Sequence, residues 1–321
     1  MSKLRAVSLF SGLGGMDLGL MGDFDYLGKH YEKNNIEVKF SVDFDKKVCN
    51  LFNANFKHQC INSDITEINS DEIPEHDILI GGFPCQSFSV VAQNPKRLGV
   101  NDGKGLLFLE MCRILKTKKP RFFIAENVKG LLSANKKEAF PLIINEFKKA
   151  GYHVKFKVLN SKNFGVPQKR ERVFIVGFKF LKDYKQFKFP EGSESFVPLK
   201  TVLDPEEQIE SKFYFSKKAV EGLKNTKNYK SMNKGRVQDV NSPCNTVNSH
   251  LAKTSLNSTD PVLFINGKYR MFTPREVARI QSFPERFILN ESKTVNYRGL
   301  GNAVPPVLMW HLVQEFKPLI K

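Results

Sequence analysis

Cysteine is scarce in this chain, and its five cysteines form no C-x-x-C pair. The missing spacing argues against common zinc-binding patterns and a disulfide framework, so we expect reduced thiols and no metal site. No run reaches the roughly 18 apolar residues that span a bilayer. The first apolar run meets glycines too early for a signal peptide. We therefore expect a soluble, cytoplasmic protein with no membrane partner.

Acidic residues are also in short supply, with 33 Asp and Glu against 50 Lys and Arg and a net charge of +17. Such an excess favours a polyanionic partner such as nucleic acid, because basic side chains displace counterions from phosphates. Solvated surface lysines are the alternative explanation, and charge alone leaves it open. The segment 211–255 is especially basic, with nine Lys or Arg and two Asp or Glu.

Short apolar runs alternate with helical patterns through the first half of the chain. The segments that predict strands are Arg5–Phe10, Glu37–Val42, Asp77–Gly81, Phe122–Ala125 and Val173–Gly177. Their alternation with helices, one of them over residues 106–115, indicates an α/β fold with a parallel sheet covered on both faces. From Pro190 to about Tyr269 the chain is richer in Ser, Asn, Lys and Gly, which predicts a second, smaller domain.

A glycine-rich turn follows the first predicted strand, in the sequence FSGLGG. Glycines there give a tight turn and let a ligand approach the backbone at a helix N-terminus. The spacing is not G-x-G-x-x-G, so a smaller ligand with a carboxylate fits better than a dinucleotide. Asp43 at the next strand end is suited to ribose hydroxyls and Phe44 to a purine face, and Asp64 adds a second acid. A purely structural glycine turn is the competing interpretation.

Cys85 lies directly after a predicted strand and a Gly-Gly-x-Pro turn, in the sequence GGFPCQSFS. Free cysteines are usually buried and inert, but these polar, glycine-rich surroundings favour a reactive thiol. Reactivity depends on the thiolate, which electropositive neighbours stabilise. We therefore predict that Cys85 is a nucleophile.

Glu126 and the arginines of QKRER supply groups that pyrimidine chemistry requires. Addition of a thiolate to carbon 6 of cytosine makes carbon 5 electron-rich enough to attack a methyl donor, and an acid at ring nitrogen 3 assists the addition. Glu126, predicted just past a strand end, suits that role when its pKa is raised. Arg170 and Arg172 offer guanidinium groups to a phosphate or to the cytosine carbonyl. Alternatively, Glu126 is an ordinary surface residue, and the arginines pair with Glu171 or Glu126.

Six motifs resemble those of the bacterial DNA cytosine-5 methyltransferases of restriction–modification systems. They are FSGLGG, GFPCQSFS, ENV, QKRER, TPREVARIQSFP and GNAVPP, which occur in that family's order and at its spacings. The resemblance covers nearly the whole chain outside residues 190–269. GFPCQSFS followed by ENV is highly specific, whereas FSGLGG alone is not. One departure is Gly299, which stands where the family commonly has Gln.

The resemblance implies transfer of a methyl group from S-adenosylmethionine to carbon 5 of a flipped cytosine in double-stranded DNA. The implied catalytic residues are Cys85, Glu126, Arg170 and Arg172. The residues expected in the S-adenosylmethionine pocket are Phe10, Leu13, Gly14, Gly15, Asp43, Phe44, Asp64, Ile65, Pro84, Leu107, Asn302 and Val304. The residues expected to contact DNA are Gln86, Ser89, Gln168, Arg236 and Thr246.

The implied fold is a Rossmann-like methyltransferase sheet with a small, irregular target recognition domain. Residues 1–190 and 302–321 are expected to form the catalytic and cofactor-binding domain, 191–273 the recognition domain and 274–301 a hinge. The resemblance also implies a monomeric bacterial enzyme. Its further partner would be a cognate restriction endonuclease that forms no stable complex with it.

Three other functions compete with this interpretation. An RNA cytosine-5 methyltransferase, such as the eukaryotic tRNA relatives, shares the fold and the Glu-Asn-Val signature, but the basic segment and the bacterial motif pattern favour DNA. A catalytically silent DNA-binding regulator disagrees with the intact set of Cys85, Glu126 and Arg172. A nicotinamide dehydrogenase predicts G-x-G-x-x-G, which is absent.

Overall fold

The computed structural model of the chain describes residues 3–84, 107–224, 236–253 and 260–320. Its strands, in chain order, are β1 (Leu4–Leu9), β2 (Phe24–Tyr26), β3 (Lys29–Tyr31), β4 (Ile36–Asp43), β5 (Cys60–Asn62), β6 (Ile78–Gly81), β7 (Phe122–Val128), β8 (His153–Asn160), β9 (Gln168–Lys169), β10 (Glu171–Phe178), β11 (Cys244–Asn245), β12 (Leu263–Ile265) and β13 (Lys268–Arg270). Its α-helices are α1 (Gly15–Met21), α2 (Lys46–Asn53), α3 (Leu107–Lys118), α4 (Ala139–Lys149), α5 (Leu181–Gln186), α6 (Lys217–Lys224), α7 (Pro274–Ile280), α8 (Lys293–Asn302) and α9 (Pro306–Gln314).

Seven of these strands form one mixed sheet in the order β5-β4-β1-β6-β7-β10-β8. The first five strands in this order are parallel, while β10 runs antiparallel to both β7 and β8. The α/β, Rossmann-like fold class is therefore confirmed, but the expectation of an all-parallel sheet is wrong. The error arises because apolar periodicity reveals that a segment is a strand and carries no information on its direction.

Helices cover both faces of the sheet. Along β1, Val7 and Leu9 face an apolar cluster that contains α3 and α4, whereas Ala6 faces a second cluster that contains α1 and α9. Successive residues of a strand point to opposite faces of the sheet, so the side chains on both faces must be apolar when helices cover both sides. Helix α1 packs along α9, which brings the end of the described chain back to the first turn.

The helix predicted from Thr273 begins there because its first turn is capped on both sides. The Thr273 hydroxyl accepts a hydrogen bond from the Glu276 N–H at 3.1 Å, and the Glu276 carboxylate accepts one from the Thr273 N–H at 2.8 Å. This capping box precedes the apolar face of α7, with Pro274 at the first helical position. Glu276 also pairs with Arg270 at 2.9 Å, with both side chains fully buried. These contacts fix the start of the expected hinge.

The recognition segment, residues 191–273, contains few regular elements in its described part. These are α6, β11 and the hairpin of β12 and β13. Apolar side chains such as Leu199 and Val247 join a cluster with Val277 of α7. Strand β11 pairs with β9, with Cys244 opposite Gln168. The segment therefore packs on both the large domain and the hinge, and its boundaries at 191 and 273 stay predictions.

Within the described ranges, no helix combines the length and the apolar character needed to cross a membrane. The same ranges contain no group of three or more His, Cys, Asp or Glu side chains that could hold a metal ion.

Candidate active site

The carboxyl ends of the parallel strands form one edge of the sheet, which we call the carboxyl edge. From β1 the chain moves outward through β4 to β5, then returns to β6 on the other side of β1 and continues to β7. In open α/β sheets, ligands bind in the crevice at such a change of direction. The turns after β1, β4, β5 and β6 carry most of the residues expected in the cofactor pocket. The topology therefore brings these residues to one crevice.

The turn after β1 depends on glycine at several positions. Gly12 and Gly14 have φ values of +55° and +77°, in the left-handed region that other residues disfavour. A Cβ atom on Gly15 would lie 2.2 Å from the carbonyl oxygen of Val304, so the close approach of two chain segments requires glycine. Leu13 is fully buried beneath the turn, and Phe10 is half-buried at its start.

A close contact with Leu13 also accounts for the glycine at position 299, where the family commonly has Gln. A Cβ atom on Gly299 would lie 2.7 Å from Cγ of Leu13. In this chain helix α8 therefore approaches the glycine turn more closely than a side chain at position 299 allows.

Asp43, at the end of β4, braces the glycine turn. One carboxylate oxygen accepts a hydrogen bond from the Gly12 N–H at 2.9 Å, and the other accepts one from the Asp45 N–H at 3.0 Å. Burial raises the pKa of Asp43, and these two backbone hydrogen bonds oppose the rise. A carboxylate has about four acceptor sites. Lone pairs therefore remain for the hydroxyls of a ligand.

The residues after Asp43 and β5 differ in exposure. The Phe44 ring is 77% exposed, so it offers a face for stacking on a planar ligand. Asp64 is exposed and caps a short helical turn by accepting a hydrogen bond from the Thr66 N–H at 3.0 Å. The side chain of Ile65 is buried in the core, so it supports the crevice from beneath.

Four other expected pocket residues lie around the same edge. Pro84, after β6, and Leu107, at the start of α3, are half-buried. Asn302 is exposed at the end of α8, and Val304 is buried with its carbonyl against Gly15. The structure thus brings residues near the end of the chain to the turn after β1.

Glu126 and Arg172 form a buried ion pair at the carboxyl edge. Glu126 lies inside β7 and not past its end as expected, because the strand continues to Val128. The antiparallel pairing places Phe174 opposite Glu126, so Arg172, two residues earlier on the same face, reaches it diagonally. Nε of Arg172 lies 3.1 Å from Oε1 of Glu126, and the side chains are 13% and 10% exposed.

The electrostatics of this pair suit proton transfer. Burial raises the pKa of Glu126, and the charges of Arg172 and Arg170 oppose the rise. Glu171 pairs instead with Lys129 at 2.9 Å, so the ion-pair alternative holds for Arg172 with Glu126 and not for Arg172 with Glu171. A carboxyl whose pKa is raised binds a proton more tightly than an ordinary glutamate does, and the neighbouring guanidinium holds it in position.

The loop after β6 passes directly over this carboxyl. A Cβ atom on Gly82 would lie 3.3 Å from Oε2 of Glu126. The side-chain amide of Asn127 donates a hydrogen bond to the Phe83 carbonyl at 2.9 Å, which anchors the loop next to Pro84. Three expected site residues that follow, Cys85, Gln86 and Ser89, lie outside the described residues, and their roles stay predictions.

Gln168 and Arg170 lie in the interior, where the large domain, the recognition segment and the hinge meet. Arg170 donates hydrogen bonds to the carbonyls of Val247 at 3.1 Å and Gly301 at 3.0 Å. Gln168 accepts one from the Val247 N–H at 3.0 Å and donates one to the side chain of Gln281 at 2.8 Å. We call these five residues the domain clasp. Its buried position differs from the DNA contact expected of Gln168 and from the ligand contact expected of Arg170.

The two base-reading positions expected in the recognition segment are also tied to protein groups. Arg236 is 5% exposed, and its Nε donates a hydrogen bond to the Asp260 carbonyl at 2.7 Å. Thr246 is half-buried, and its hydroxyl donates to the Lys169 carbonyl at 2.8 Å. A DNA contact by either residue stays a prediction.

Sequence reasoning missed three residues that shape the site. Asn127 lies in the ENV motif and Gln281 in TPREVARIQSFP, and neither motif by itself predicts a contact for these side chains. Asp17 of α1 is fully buried and accepts hydrogen bonds from the hydroxyls of Ser8 at 2.9 Å and Ser41 at 3.0 Å. It therefore fixes two strands beneath the glycine turn. An acid two residues into a helix after glycines was the available signal.

The reversed strand β10 beside β7 and the crevice at the switch point together define a class of protein, the Rossmann-like methyltransferases. Comparison with known proteins narrows the class. The family model of C-5 cytosine-specific DNA methylases matches residues 4–317, and the chain belongs to that family. It is accordingly a DNA cytosine-5 methyltransferase of the restriction–modification kind.

Several relatives and solved structures resemble the chain over most of its length. Type II methyltransferase M1.ScrFI of Lactococcus lactis subsp. cremoris is 35% identical over 94% of this chain and 75% of its own length. Type II methyltransferase M.FnuDI of Fusobacterium nucleatum is 36% identical over 98% of this chain and 94% of its own. The S. pombe Dnmt2 methyltransferase superposes with a TM-score of 0.74 at 19% identity, over 98% of this chain and 99% of its own. That last similarity supports the fold alone.

Proposed function

We propose that this enzyme transfers a methyl group from S-adenosylmethionine to carbon 5 of a specific cytosine in double-stranded DNA. The transfer proceeds through a covalent adduct between Cys85 and a base flipped out of the duplex. The modification protects DNA from a cognate restriction endonuclease. The observation that carries the proposal is the buried pair of Glu126 and Arg172, 3.1 Å apart, beneath the loop that leads to Cys85.

The chemistry divides between these side chains. The Cys85 thiolate adds to carbon 6 while the Glu126 carboxyl gives its proton to ring nitrogen 3, so the ring accumulates no negative charge. Carbon 5 thereby gains the electron density to form a bond to the methyl group that S-adenosylmethionine would supply, and the sulfur–methyl bond would break with S-adenosylhomocysteine as the leaving group. A base then removes the proton from carbon 5, the bond between sulfur and carbon 6 breaks, and nitrogen 3 returns its proton to Glu126. Arg172 orients Glu126 and binds the cytosine carbonyl oxygen.

The carboxyl edge fits S-adenosylmethionine, which when bound supplies an electrophilic methyl group. The exposed ring of Phe44 stacks on the adenine, and the remaining lone pairs of Asp43 accept hydrogen bonds from the ribose hydroxyls. The glycine turn lets the ligand approach the backbone. The other residues proposed for this pocket are Phe10, Leu13, Gly14, Gly15, Asp64, Ile65, Pro84, Leu107, Asn302 and Val304.

The DNA lies between the carboxyl edge and the recognition segment. A base inside a duplex is out of reach of Cys85, so it must be flipped out, at about a few kcal/mol. Gln86 and Ser89 follow the nucleophile and are proposed to contact the DNA around the vacated position. Residues 191–273 read the target sequence, with Thr246 at their junction with the large domain, and residues 274–301 act as the hinge.

The proposal is tested by incubating the purified chain with methyl-labelled S-adenosylmethionine and either duplex DNA or tRNA. We expect label in the duplex, and bisulfite sequencing of that DNA then identifies the target cytosine. Label found in tRNA alone overturns the proposal in favour of an RNA enzyme. Cys85→Ala is expected to abolish transfer and to retain cofactor binding. Full methylation by that variant overturns the assignment of the nucleophile.

A further inference from the structure

The positive charge of the chain is concentrated away from the recognition segment. Between residues 113 and 188 the sequence holds 20 Lys or Arg and five Asp or Glu. This local excess of 15 nearly equals the whole net charge of +17. Most of it therefore belongs to the half of the large domain that contains β7, β8 and β10, and not to the segment proposed to read bases.

Topology sends many of these side chains to the edge of the sheet opposite the site. Three parts of the chain lie at this opposite edge: the end of α3, the end of α4, and the segment from β10 into α5. Six exposed lysines define what we call the lysine edge, namely Lys119, Lys148, Lys179, Lys182, Lys185 and Lys188. Arg172 at the site and Lys179 beyond the other end of β10 are seven residues apart, or about 23 Å along a strand.

Several contacts link parts of the lysine edge and the residues beside it. Nζ of Lys179 donates a hydrogen bond to the Lys119 carbonyl at 3.2 Å. A depression of about 580 Å³ is shared by Lys148 and by Tyr184 of α5. Nearby, Lys155 donates to the Phe187 carbonyl at 2.6 Å and lies 4.9 Å from the centre of the Tyr184 ring. Lys148 therefore lies at a shallow concavity beside α5, the helix that carries Lys182 and Lys185.

Few carboxylates neutralise this surface. None of the six ammonium groups lies within ion-pair distance of a carboxylate of the described residues, whereas the neighbouring Lys149 pairs with Glu146 at 2.8 Å. Burial lowers the pKa of Lys155, and the charge of Lys188 lowers it further. Like charges held together repel each other, and an anionic partner relieves that repulsion.

We propose that the lysine edge is a second DNA-binding surface, which holds the phosphates of a duplex other than the one being methylated. A duplex at the carboxyl edge cannot also reach the lysine edge without bending sharply around the domain, because the two edges lie at opposite ends of the strands. A second segment meets both surfaces without that distortion. Phe180 and Leu181 are about half exposed here, which is too little apolar area to anchor a membrane. The inference rests on the proposed function in that the active site takes duplex DNA.

The test uses the whole enzyme on an immobilised duplex that carries the target found by bisulfite sequencing. After washing, a labelled duplex of unrelated sequence without the target is added at several salt concentrations. We expect capture of the second duplex, with affinity that falls steeply as salt rises. Absence of capture while the first duplex is methylated overturns this inference alone. Absence of methylation overturns the proposed function.

A matched pair of triple variants separates the lysine edge from general charge. Lys182→Gln, Lys185→Gln and Lys188→Gln together are expected to weaken capture by about tenfold or more and to lower the salt slope by about 3. Lys33→Gln, Lys39→Gln and Lys57→Gln remove the same charge elsewhere and are expected to leave capture unchanged. Both variants are expected to methylate the target duplex at the normal single-turnover rate. Equal capture by both, or binding to anionic phospholipid vesicles in place of the second duplex, contradicts the proposal.

Discussion

The carboxyl edge and the recognition segment are built in opposite ways. At the carboxyl edge, strands fix each important group: Glu126 lies inside β7, Arg172 lies on its neighbour, and Asp43 holds the glycine turn with two backbone hydrogen bonds. The recognition segment has few strands and is joined to the large domain by the domain clasp, one short strand pairing and a shared apolar cluster. Reacting groups need fixed geometry, whereas a segment with few regular elements allows its loops to vary.

Replacement of the Glu126 carboxyl group is expected to give the largest effect. Glu126→Gln keeps the size of the side chain and loses the acid, so methyl transfer at saturating substrates should fall by about 10²–10⁴-fold. Cofactor affinity should stay unchanged in a binding titration. Glu146→Gln, on the surface of α4, is the matched control. A normal rate in Glu126→Gln would show that another group protonates the base.

The pH dependence sharpens the same comparison. Folding raises the pKa of Glu126 from the ordinary value of 4.5. The folded chain therefore binds this proton more tightly than the unfolded chain, and the stabilisation is complete below pH 4.5 and lost as pH rises through the raised pKa. Urea unfolding at a series of pH values should show this decline in the native enzyme and a weaker decline in Glu126→Gln. Identical pH profiles for the two would contradict the raised pKa.

Loss of the clasp should affect DNA binding more than cofactor binding. Arg170→Met leaves two buried carbonyls without donors, at about 1–3 kcal/mol each, and loosens the recognition segment from the large domain. We expect a higher KM for DNA and an unchanged Kd for S-adenosylmethionine. Arg5→Met, which removes an exposed ion pair with Asp77, serves as the control. Equal losses in both affinities would mean that the clasp supports the whole fold.

A side chain on Gly15 tests the rigidity of the carboxyl edge. In Gly15→Ala the new methyl group would lie 2.2 Å from a backbone oxygen, so the free energy of unfolding should fall by about 1–3 kcal/mol. In Gly165→Ala no atom lies within 4 Å of the new group, and the cost is that of a positive φ alone, about 1–2 kcal/mol. Urea denaturation measures both. A Gly15→Ala variant as stable as native would mean that the contact with Val304 yields freely.

Phe44→Ala is expected to give the smallest effect. Loss of one stacking face should weaken S-adenosylmethionine binding by about 0.5–1.5 kcal/mol. Stability should not change, since the ring is 77% exposed. Phe156→Ala, on the exposed edge strand β8, is the control for both measurements. Unaltered cofactor affinity would remove Phe44 from the pocket.

The sequence predicted β1, β4 and β6 to within one residue at each end because these strands are short, mostly apolar runs. It missed the parallel strand β5 and ended β7 three residues early. It did not predict β8, whose residues are mostly exposed or half-buried at the edge of the sheet. Nor did it predict the direction of β10, since the partner of a strand is set by packing between distant segments.

At the site, the order of the motifs indicated which residues lie close together but not which contacts they make. Glu126 and Arg172 were expected, and the structure brings them together. Gln168 and Arg170 belong to the same short motif, yet they point into the domain junction, because Gln168 lies in β9 and Arg170 lies between β9 and β10, outside the strand that carries Arg172. The partners of Arg170 lie 77 and 131 positions further along the chain. Residues so far apart in the sequence form no local motif, so the hydrogen-bond partners of Arg170 could not be predicted from the sequence.

The contact of Gly15 with the Val304 carbonyl carries a consequence for biosynthesis. During translation the segment around residue 15 leaves the ribosome long before the segment around residue 304. The first turn therefore lacks this contact, and α1 lacks its neighbour α9, until the segment around residue 304 has been made. A chain that stops short of that segment consequently lacks the completed crevice.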